Sequence, residues 1–280
     1  MMSIKVPRRL GTFAKYFVLL AAAAIVVFPV YWMILTALTE NGAMLSTTSI
    51  IPNFEKLTLA SFKKVMQGNI WYWFKNSFVV TFVSTGLGVF VSLLAAYGMS
   101  RFHSKLNDFL GFFLLLVRML PASLLVVPLY IIFAKVKLIN NHWSLVISNI
   151  TFIIPFAAWM MKGYFDSIPY TLEEAAQIDG CSIYQAAVKV VLPLTASGLA
   201  ATSVYAIIVA WGEFLFARTF TANPTKWTLT VGVSNYVGEH GVQWGEIKSA
   251  ATLSVIPIIV AYFSLNRYLV SGLTQGAVKE

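Results

Sequence analysis

Long apolar stretches alternate with short polar connections along most of the chain. Six of the apolar stretches are long enough to cross a bilayer, because about 20 residues in a helix cover its hydrocarbon core. They lie at about residues 14–38, 74–99, 109–133, 144–165, 196–219 and 249–270. The pattern therefore predicts an all-α polytopic membrane protein with six transmembrane helices and with both termini on the same side of the membrane.

One polar connection, residues 169–193, differs from the others and is called the elbow below. Its sequence predicts two short helices that meet at Gly180, a residue that can adopt the left-handed conformation that ends a helix. Pro193 indicates a break or kink near the end of the second helix. A charged helix–glycine–helix connection between apolar spans is suited to contact a partner outside the membrane.

Two capping patterns mark where the elbow helices are expected to begin. Thr171 and Glu174 form a T-x-x-E pattern, and Ser182 and Gln185 form an S-x-x-Q pattern. In a capping box the first side chain accepts a hydrogen bond from the backbone N–H three residues later, and the last side chain returns one. We therefore expect a capping box at the start of each elbow helix.

The composition supports the membrane assignment and limits the chemistry. Of the 280 residues, 58% are hydrophobic and 11% are charged, whereas a soluble domain has about 25% charged residues. The net charge of +9 fits contact with anionic lipid and requires no nucleic acid. The single cysteine, Cys181, excludes an internal disulfide. No Gly-Lys pair occurs, so a P-loop nucleotide site is excluded.

No enzyme active site or metal site is predicted from the sequence. His103, His142 and His240 lie in separate connections without metal-ligand spacing. No serine lies in a G-x-S-x-G pattern.

The elbow resembles the EAA loop of the permeases of ABC importers. The family pattern is E-A-A-x3-G-x9-I-x-L-P, and this chain departs from it with Val190 in place of isoleucine. In that family the loop is cytoplasmic and docks into a cleft on a separate ATPase subunit. The ATPase-coupling residues implied by the resemblance are Glu174, Ala175, Ala176, Asp179, Gly180, Leu192 and Pro193. The residues alone leave a solvated, well-capped loop as the alternative.

Two segments toward the C-terminus extend the resemblance to permeases of the carbohydrate-uptake group. Residues 211–217, WGEFLFA, resemble a W-N-E-F-L-F-A segment, with Gly212 in place of asparagine. Residues 267–279 resemble the terminal pattern R-Y-x-V-x-G-L-T-x-G-A-V-K. The resemblance implies the type I ABC-importer permease fold and the shorter permease of a pair. It also implies a tail that contacts the ATPase through Gly276, Ala277, Val278 and Lys279.

The resemblance further implies a domain organisation. Residues 1–73 would form an anchor helix and an external segment, and residues 74–272 would form the permease core. The core would hold five spans and the cytoplasmic EAA loop at 166–195, and residues 273–280 would form a cytoplasmic tail. The protein would lie in the bacterial inner membrane with both termini in the cytoplasm, an orientation that the basic residues before the first span also favour.

The same resemblance implies partners and a solute class. The partners would be a second homologous permease, two ATPase subunits and an extracytoplasmic solute-binding protein. ATP and Mg²⁺ would be bound by the ATPase subunits, and this chain would carry no cofactor. The solute would be a sugar or oligosaccharide, with a glycerol-phosphate-like or other polar solute as the alternative.

Two charged residues inside the predicted spans are candidates for a translocation path. Arg118 lies about nine residues into the third span, or roughly 13 Å along the helix, and Glu213 lies in the fifth span. An ion at such depth is costly unless it is paired or faces water. Arg118 and Glu213 therefore either line a path or form a structural ion pair between packed helices.

Other classes of membrane protein would show different sequence features. An ion-coupled secondary transporter predicts internal repeats and paired carboxylates within the spans, whereas Glu213 has no second carboxylate beside it in sequence. A membrane-embedded enzyme or assembly factor would need a catalytic cluster, which the sequence does not show.

Overall fold

The structure is a computed structural model that describes residues 8–39, 56–102, 104–238 and 241–277. Its α-helices are α1 (Arg8–Ala37), α2 (Ala60–Gln67), α3 (Ile70–Arg101), α4 (Lys105–Arg118), α5 (Ala122–Lys135), α6 (His142–Asp166), α7 (Thr171–Ile178), α8 (Ile183–Ala186), α9 (Leu192–Leu194), α10 (Ala196–Trp211), α11 (Leu215–Phe220), α12 (Leu229–Ser234) and α13 (Trp244–Ala277). A π-helical turn, Ala187–Val191, joins α8 to α9, and a 3₁₀ turn, Pro224–Lys226, precedes α12. The strands of the described part form one small antiparallel hairpin of β1 (Val237–Gly238) and β2 (Gly241–Val242).

The predicted six-span architecture is present, with a sharp bend in span three and a short interruption of span five between Trp211 and Leu215. Five helices of the described part are long and apolar enough to cross a membrane, and there are six if α4 and α5 form one bent span. The axes of α4 and α5 differ by 96°. The break falls where Pro121 lacks an N–H for the helical ladder, whereas Pro128 lies inside α5.

Several helices begin earlier than the predicted spans, among them α1 at Arg8 and α4 at Lys105. Helix α3 begins at Ile70 rather than near residue 74, so the aromatic residues 71–73 form its first turn. Helix α13 begins at Trp244 rather than near residue 249, and its backbone stays helical through Ala277. The first turn of α3 is aromatic and the start of α13 contains Glu246 and Lys248, so hydropathy alone places these boundaries too far along the chain.

The chain divides into two compact units. The first combines Met1–Gly68 with Tyr236–Leu253. Within it, α1 leaves most of its apolar side chains exposed, as expected of an anchor helix that faces lipid. The Lys64 Nζ atom of α2 contacts Glu246 Oε1 of α13 at 2.6 Å. Burial, together with the Glu246 carboxylate, raises the pKa of the Tyr236 hydroxyl, which therefore stays protonated.

The second unit combines Asn69–Asn235 with Ser254–Glu280, and α3 packs along α6 and α10 within it. One buried cluster joins these three helices through Val89, Ile153, Ala157, Ala206 and Ala210. Gly88 allows α3 and α6 to lie close together, because a Cβ at this position would stand only 2.9 Å from Ile153 Cγ2. Small residues permit such close packing in membranes, where the hydrophobic effect does not drive helices together.

The N-terminal end of α3 is bonded to the segment that follows α11. Trp73 Nε1 donates to the Pro224 carbonyl at 2.9 Å. Asn76 Nδ2 donates to the carbonyls of Thr225 and Trp227, both at 2.9 Å. These bonds join the start of span two to the loop after span five. Helix α3 is therefore fixed by polar contacts as well as by packing.

Candidate functional site

The elbow has the predicted form of two short helices that meet at a glycine. Helix α7 ends before Gly180, whose φ of +91° lies in the left-handed region that favours glycine. Helix α8 begins with a complete capping box, in which the Gln185 N–H donates to Ser182 Oγ at 3.3 Å and the Ser182 N–H donates to Gln185 Oε1 at 3.0 Å. The turn at Gly180 and the S-x-x-Q box are both confirmed.

The capping box predicted at Thr171 is wrong. The residue that precedes α7 is Tyr170, and it makes no side-chain cap bond. The N–H groups of Glu173 and Glu174 instead donate to the Tyr170 carbonyl, at 2.9 and 3.1 Å. The turn after Pro169 thus supplies a backbone acceptor for the first N–H groups of the helix, which removes the need for a side-chain cap.

The irregularity expected at Pro193 is found one turn earlier. Proline at 193 cannot donate to the carbonyl of Lys189, four residues before it. The chain takes a π-helical turn over Ala187–Val191, in which the Leu192 N–H donates to the Ala187 carbonyl five residues back. The wider turn leads into α9 and α10 without a loop, since the Thr195 N–H donates to the Val191 carbonyl at 3.0 Å.

A buried polar cluster joins the start of the elbow to the C-terminal end of α3. We call it the Arg101 clamp; its members are Tyr97, Arg101 and Glu173. The Arg101 Nε atom forms a salt bridge with Glu173 Oε1, with the arginine side chain 8% exposed and the glutamate side chain 1% exposed. The Tyr97 hydroxyl donates to Glu173 Oε2 at 2.7 Å, and Ser100 Oγ donates to Asp166 Oδ1 at 2.6 Å. The two carboxylates on either side of the turn between α6 and α7 are therefore both bound by α3.

The two adjacent glutamates of the elbow have different environments. Glu173 is buried in the clamp, whereas Glu174 is exposed. The sequence motif contains Glu174, whereas Glu173, Arg101 and Tyr97 were not predicted as site residues. A charged residue that shares a face of α7 with the buried Ala176 was the available signal, because residues three apart lie on one side of a helix.

The two alanines of the EAA pattern also have different surroundings. Ala176 is 8% exposed, and its carbonyl accepts from the Cys181 N–H at 2.9 Å, so it packs within the chain. Ala175 is exposed. Of the two, Ala175 alone presents a small side chain at the surface.

The outer face of the elbow carries large apolar side chains that nothing in the described chain covers. Ile178 is 86% exposed and Tyr184 is 84% exposed, and the remaining exposed apolar residues are Tyr170, Leu172, Ile183 and Val188. We call this set the apolar rim. Asp179, Gly180 and Pro193 are exposed beside it, and Leu192 is half-buried.

Arg118 lies at the last residue of α4, directly before the break in the third span. Its side chain is exposed, and it forms no salt bridge with the residues that the structure describes. The guanidinium interacts electrostatically with the Tyr205 hydroxyl of α10, although the two groups do not reach hydrogen-bond geometry. The ring of Tyr205 packs on Phe156 of α6 with centroids 4.6 Å apart.

Glu213 lies at a second break, between α10 and α11. Its carboxylate accepts from the N–H groups of Phe216 at 2.6 Å and Ala217 at 2.9 Å, and thus caps α11. Within the described residues it makes no ion pair with Arg118, so the structure does not show the ion pair considered from the sequence. A cleft of about 460 Å³ lies at this break; it is lined by Trp211, Gly212, Phe214, Leu229, Thr230, Val233, Ser234, Ser254, Val255 and Ile258.

The remaining sequence candidates fall partly outside the described residues. Gly276 and Ala277 lie in the last turn of α13, and Val278 and Lys279 lie outside the described part. His103 and His240 lie outside it as well. His142 Nε2 lies 3.1 Å from the Lys226 carbonyl. Among the described residues, no group of three or more His, Cys, Asp or Glu side chains could hold a metal ion.

Comparisons with known proteins agree with this arrangement. Residues 88–275 match the family described as binding-protein-dependent transport system inner membrane component. The chain is 34% identical over 254 residues to the sulfoquinovosyl glycerol transport system permease protein SmoH of Agrobacterium fabrum, covering 90% of this chain and 88% of that protein. It is 33% identical over 262 residues to the trehalose/maltose transport system permease protein MalG of Thermococcus litoralis, covering 92% and 93%.

A solved structure shares the fold. A chain from the crystal structure of a bacterial ABC transporter involved in the import of the acidic polysaccharide alginate superposes with a TM-score of 0.77 and 18% identity. The match covers 95% of this chain and 99% of that chain. The chain therefore belongs to the family of binding-protein-dependent transport system inner membrane components.

Proposed function

We propose that this chain is the permease subunit of an ABC importer for a sugar or oligosaccharide. The two relatives described above have names that refer to sulfoquinovosyl glycerol and to trehalose or maltose. A saccharide or glycoside is therefore the solute class that we assign. A glycerol-phosphate-like or other polar solute is the alternative.

The observation that carries this proposal is the elbow with its uncovered apolar rim. Its exposed isoleucine and tyrosine side chains lie next to the charged Glu174 and Asp179, so the surface suits a protein partner better than lipid. The coupling residues are Glu174, Ala175, Asp179, Gly180 and Pro193 at the surface, with Ala176 and Leu192 shaping the elbow from inside. We assign the partner as an ATPase subunit.

The importer would contain two permeases, two ATPase subunits and an extracytoplasmic binding protein. The ATPase subunits would bind ATP and Mg²⁺, since this chain has no P-loop sequence. The C-terminal residues Gly276, Ala277, Val278 and Lys279 would add a second contact with the ATPase. This assembly follows from the family, in which a binding protein delivers the solute to the membrane subunits.

We infer the orientation in the membrane from the elbow. An ATPase that uses cellular ATP requires the elbow to lie on the cytoplasmic side of the inner membrane. With six spans, both termini then lie in the cytoplasm, and the loop bonded to Trp73 and Asn76 lies outside.

We assign Arg118 to the translocation path. It is a cation without a salt-bridge partner in the described chain, and it lies at the broken span, where backbone irregularity is tolerated next to a cavity. Glu213 contributes at the second break, where it caps α11 beside the cleft at Trp211. The solute would pass between the broken spans three and five.

Co-purification tests this function. The chain is co-expressed with the ATPase, second permease and binding protein encoded nearest to it, and the ATPase retained in detergent is quantified. Uptake of labelled trehalose, maltose and glycerol 3-phosphate into proteoliposomes is measured with and without ATP.

We expect ATP-dependent uptake of a saccharide and retention of the ATPase. Ile178→Glu should release the ATPase, because a charge would be placed in the apolar rim. Leu106→Glu is the matched control, since Leu106 is 64% exposed at the start of α4 and lies outside the elbow. Uptake driven by an ion gradient without any ATPase would instead identify a secondary transporter.

A further inference from the structure

A single arginine of α3 bonds to both helices that meet at the start of the elbow. The Arg101 guanidinium donates to the carbonyls of Phe165 at 3.1 Å and Ile168 at 3.3 Å, where α6 ends. Its Nε atom is paired with Glu173 in the first turn of α7. The planar guanidinium, with its five donors, therefore fixes the turn between α6 and α7 from both sides.

The Glu173 carboxylate is too deeply buried to contact another protein chain. One oxygen accepts from Arg101 and the other accepts from the Tyr97 hydroxyl, and the side chain is 1% exposed. Glu173 thus differs from its exposed neighbour Glu174, which is free to face a partner. The role of Glu173 must act through the position of α7.

We propose that Tyr97, Arg101 and Glu173 are positioning residues of the import cycle, which hold α7 against α3 so that the elbow and spans two and four move as one body. The proposal rests on the proposed function, in which an ATPase moves the elbow. Helix α3 has 32 residues, so at 1.5 Å per residue it carries a displacement at the elbow over about 48 Å, across the whole membrane. Along the chain, the eight-residue α7 follows span four through the turn at Ser167–Tyr170, and the clamp adds a connection through α3.

A purely structural role makes a different prediction. If the ion pair only stabilised the fold, its loss would lower the yield or the melting temperature, and the assembled protein would behave normally. If the clamp transmits motion, the assembled protein keeps its ATPase but allows α7 to move independently of α3. A distance between α7 and α3, measured in both nucleotide states, separates the two roles.

The chain offers a natural label site for this measurement. Cys181, its single cysteine, follows Gly180 in the elbow. A second cysteine is introduced by Phe102→Cys, because Phe102 lies directly after α3 and is 61% exposed. Spin labels at both sites are measured by pulsed electron paramagnetic resonance in the complete importer in nanodiscs, without nucleotide and with ATP and vanadate.

In the parent protein we expect one narrow distance, unchanged by ATP and vanadate. In the ATP state, Glu173→Gln should replace this narrow distance with a broad distribution. Tyr97→Phe, which removes a single hydrogen bond, should broaden the distribution less than Glu173→Gln does. Lys162→Gln is the matched control, because it removes one partner of the exposed Lys162–Asp166 salt bridge at the same end of the molecule. It should leave the distance as in the parent.

Two results would overturn the proposal. One is a parent distance that changes with ATP and vanadate. The other is an unchanged narrow distance in both Glu173→Gln and Tyr97→Phe complexes. Failure of the proposed function has a different signature, because the unlabelled parent would then retain no ATPase at all.

Discussion

The conformation of Gly180 allows the contribution of the elbow geometry to be measured. Its φ is +91°, and a Cβ added there would meet no atom within 4 Å. Gly180→Ala therefore introduces backbone strain without a steric clash inside the chain. For an L-residue in the left-handed region this strain is about 1–2 kcal/mol.

This strain sets an upper limit on how much Gly180→Ala can weaken binding of the ATPase. A cost of 1–2 kcal/mol corresponds to a change of roughly 5–30-fold in the population of the native turn. If the ATPase binds the elbow in its native form alone, the apparent Kd rises in inverse proportion to the fraction of the elbow that remains in that form. Gly180→Ala should therefore weaken ATPase binding by at most about 30-fold.

The assay is a titration of the purified ATPase against the permease pair in nanodiscs. Gly163→Ala is the matched control, because Gly163 lies within α6 and a Cβ there also meets nothing within 4 Å. Alanine is favoured over glycine in a helix by about 1 kcal/mol, so this control should bind at least as well as the parent. Gly180→Asp should be more severe than Gly180→Ala, since it adds a charge at the docking surface, and it should abolish transport while the spans stay inserted. Equal affinities for Gly180→Ala and Gly163→Ala would refute the reasoning.

Three further predictions follow from other parts of the chain. An impermeant thiol reagent applied from outside should label a cysteine at position 46 and should not label one at position 279; labelling of both would contradict cytoplasmic termini. Deletion of residues 275–280 should lower ATPase stimulation while the subunit stays in the membrane, and unchanged stimulation would indicate a tail without contact. Gly232→Ala should lower the stability by about 1–3 kcal/mol, because its Cβ would overlap the buried indole of Trp73, whereas Gly86→Ala, with open space around it inside α3, should not lower the melting temperature.

Local signals in the sequence predicted the elbow well. The glycine at the turn and the Ser182–Gln185 box depend on residues within four positions of each other, so the sequence contains all that is needed. The six spans were predictable for a similar reason, because hydropathy over 20 residues reports directly on the lipid environment. The tail contacts, the coupling residues and the path at Arg118 stay predictions.

The Arg101 clamp could not be predicted because it depends on distant parts of the chain. Arg101 and Glu173 are 72 residues apart in sequence. The usual rule, that apolar side chains face inward, also assigns the wrong face of α7, since Ile178 is 86% exposed while Glu173 is buried. That inversion is expected where the outward face binds another protein and the inward face binds a buried arginine.

The break at Pro121 was only partly predictable. Proline removes a helical hydrogen bond wherever it stands, and the third span contains both Pro121 and Pro128. The chain bends at Pro121 and continues as a helix through Pro128. Single-sequence reasoning does not distinguish these positions, since the choice depends on packing by neighbouring helices.

The bonds at the N-terminal end of α3 have a consequence for biogenesis. Trp73 and Asn76 donate to carbonyls about 150 residues later in the chain, at separations of 149–151. At 5–20 residues per second, a ribosome needs roughly 8–30 s to synthesise that interval. During this time the second span has been made, but its indole and amide donors lack their final acceptors, and water can take their place at the end of the span. We therefore expect the N-terminal end of α3 to be fixed only after span five has emerged, so that chains truncated before residue 224 keep a second span without these bonds.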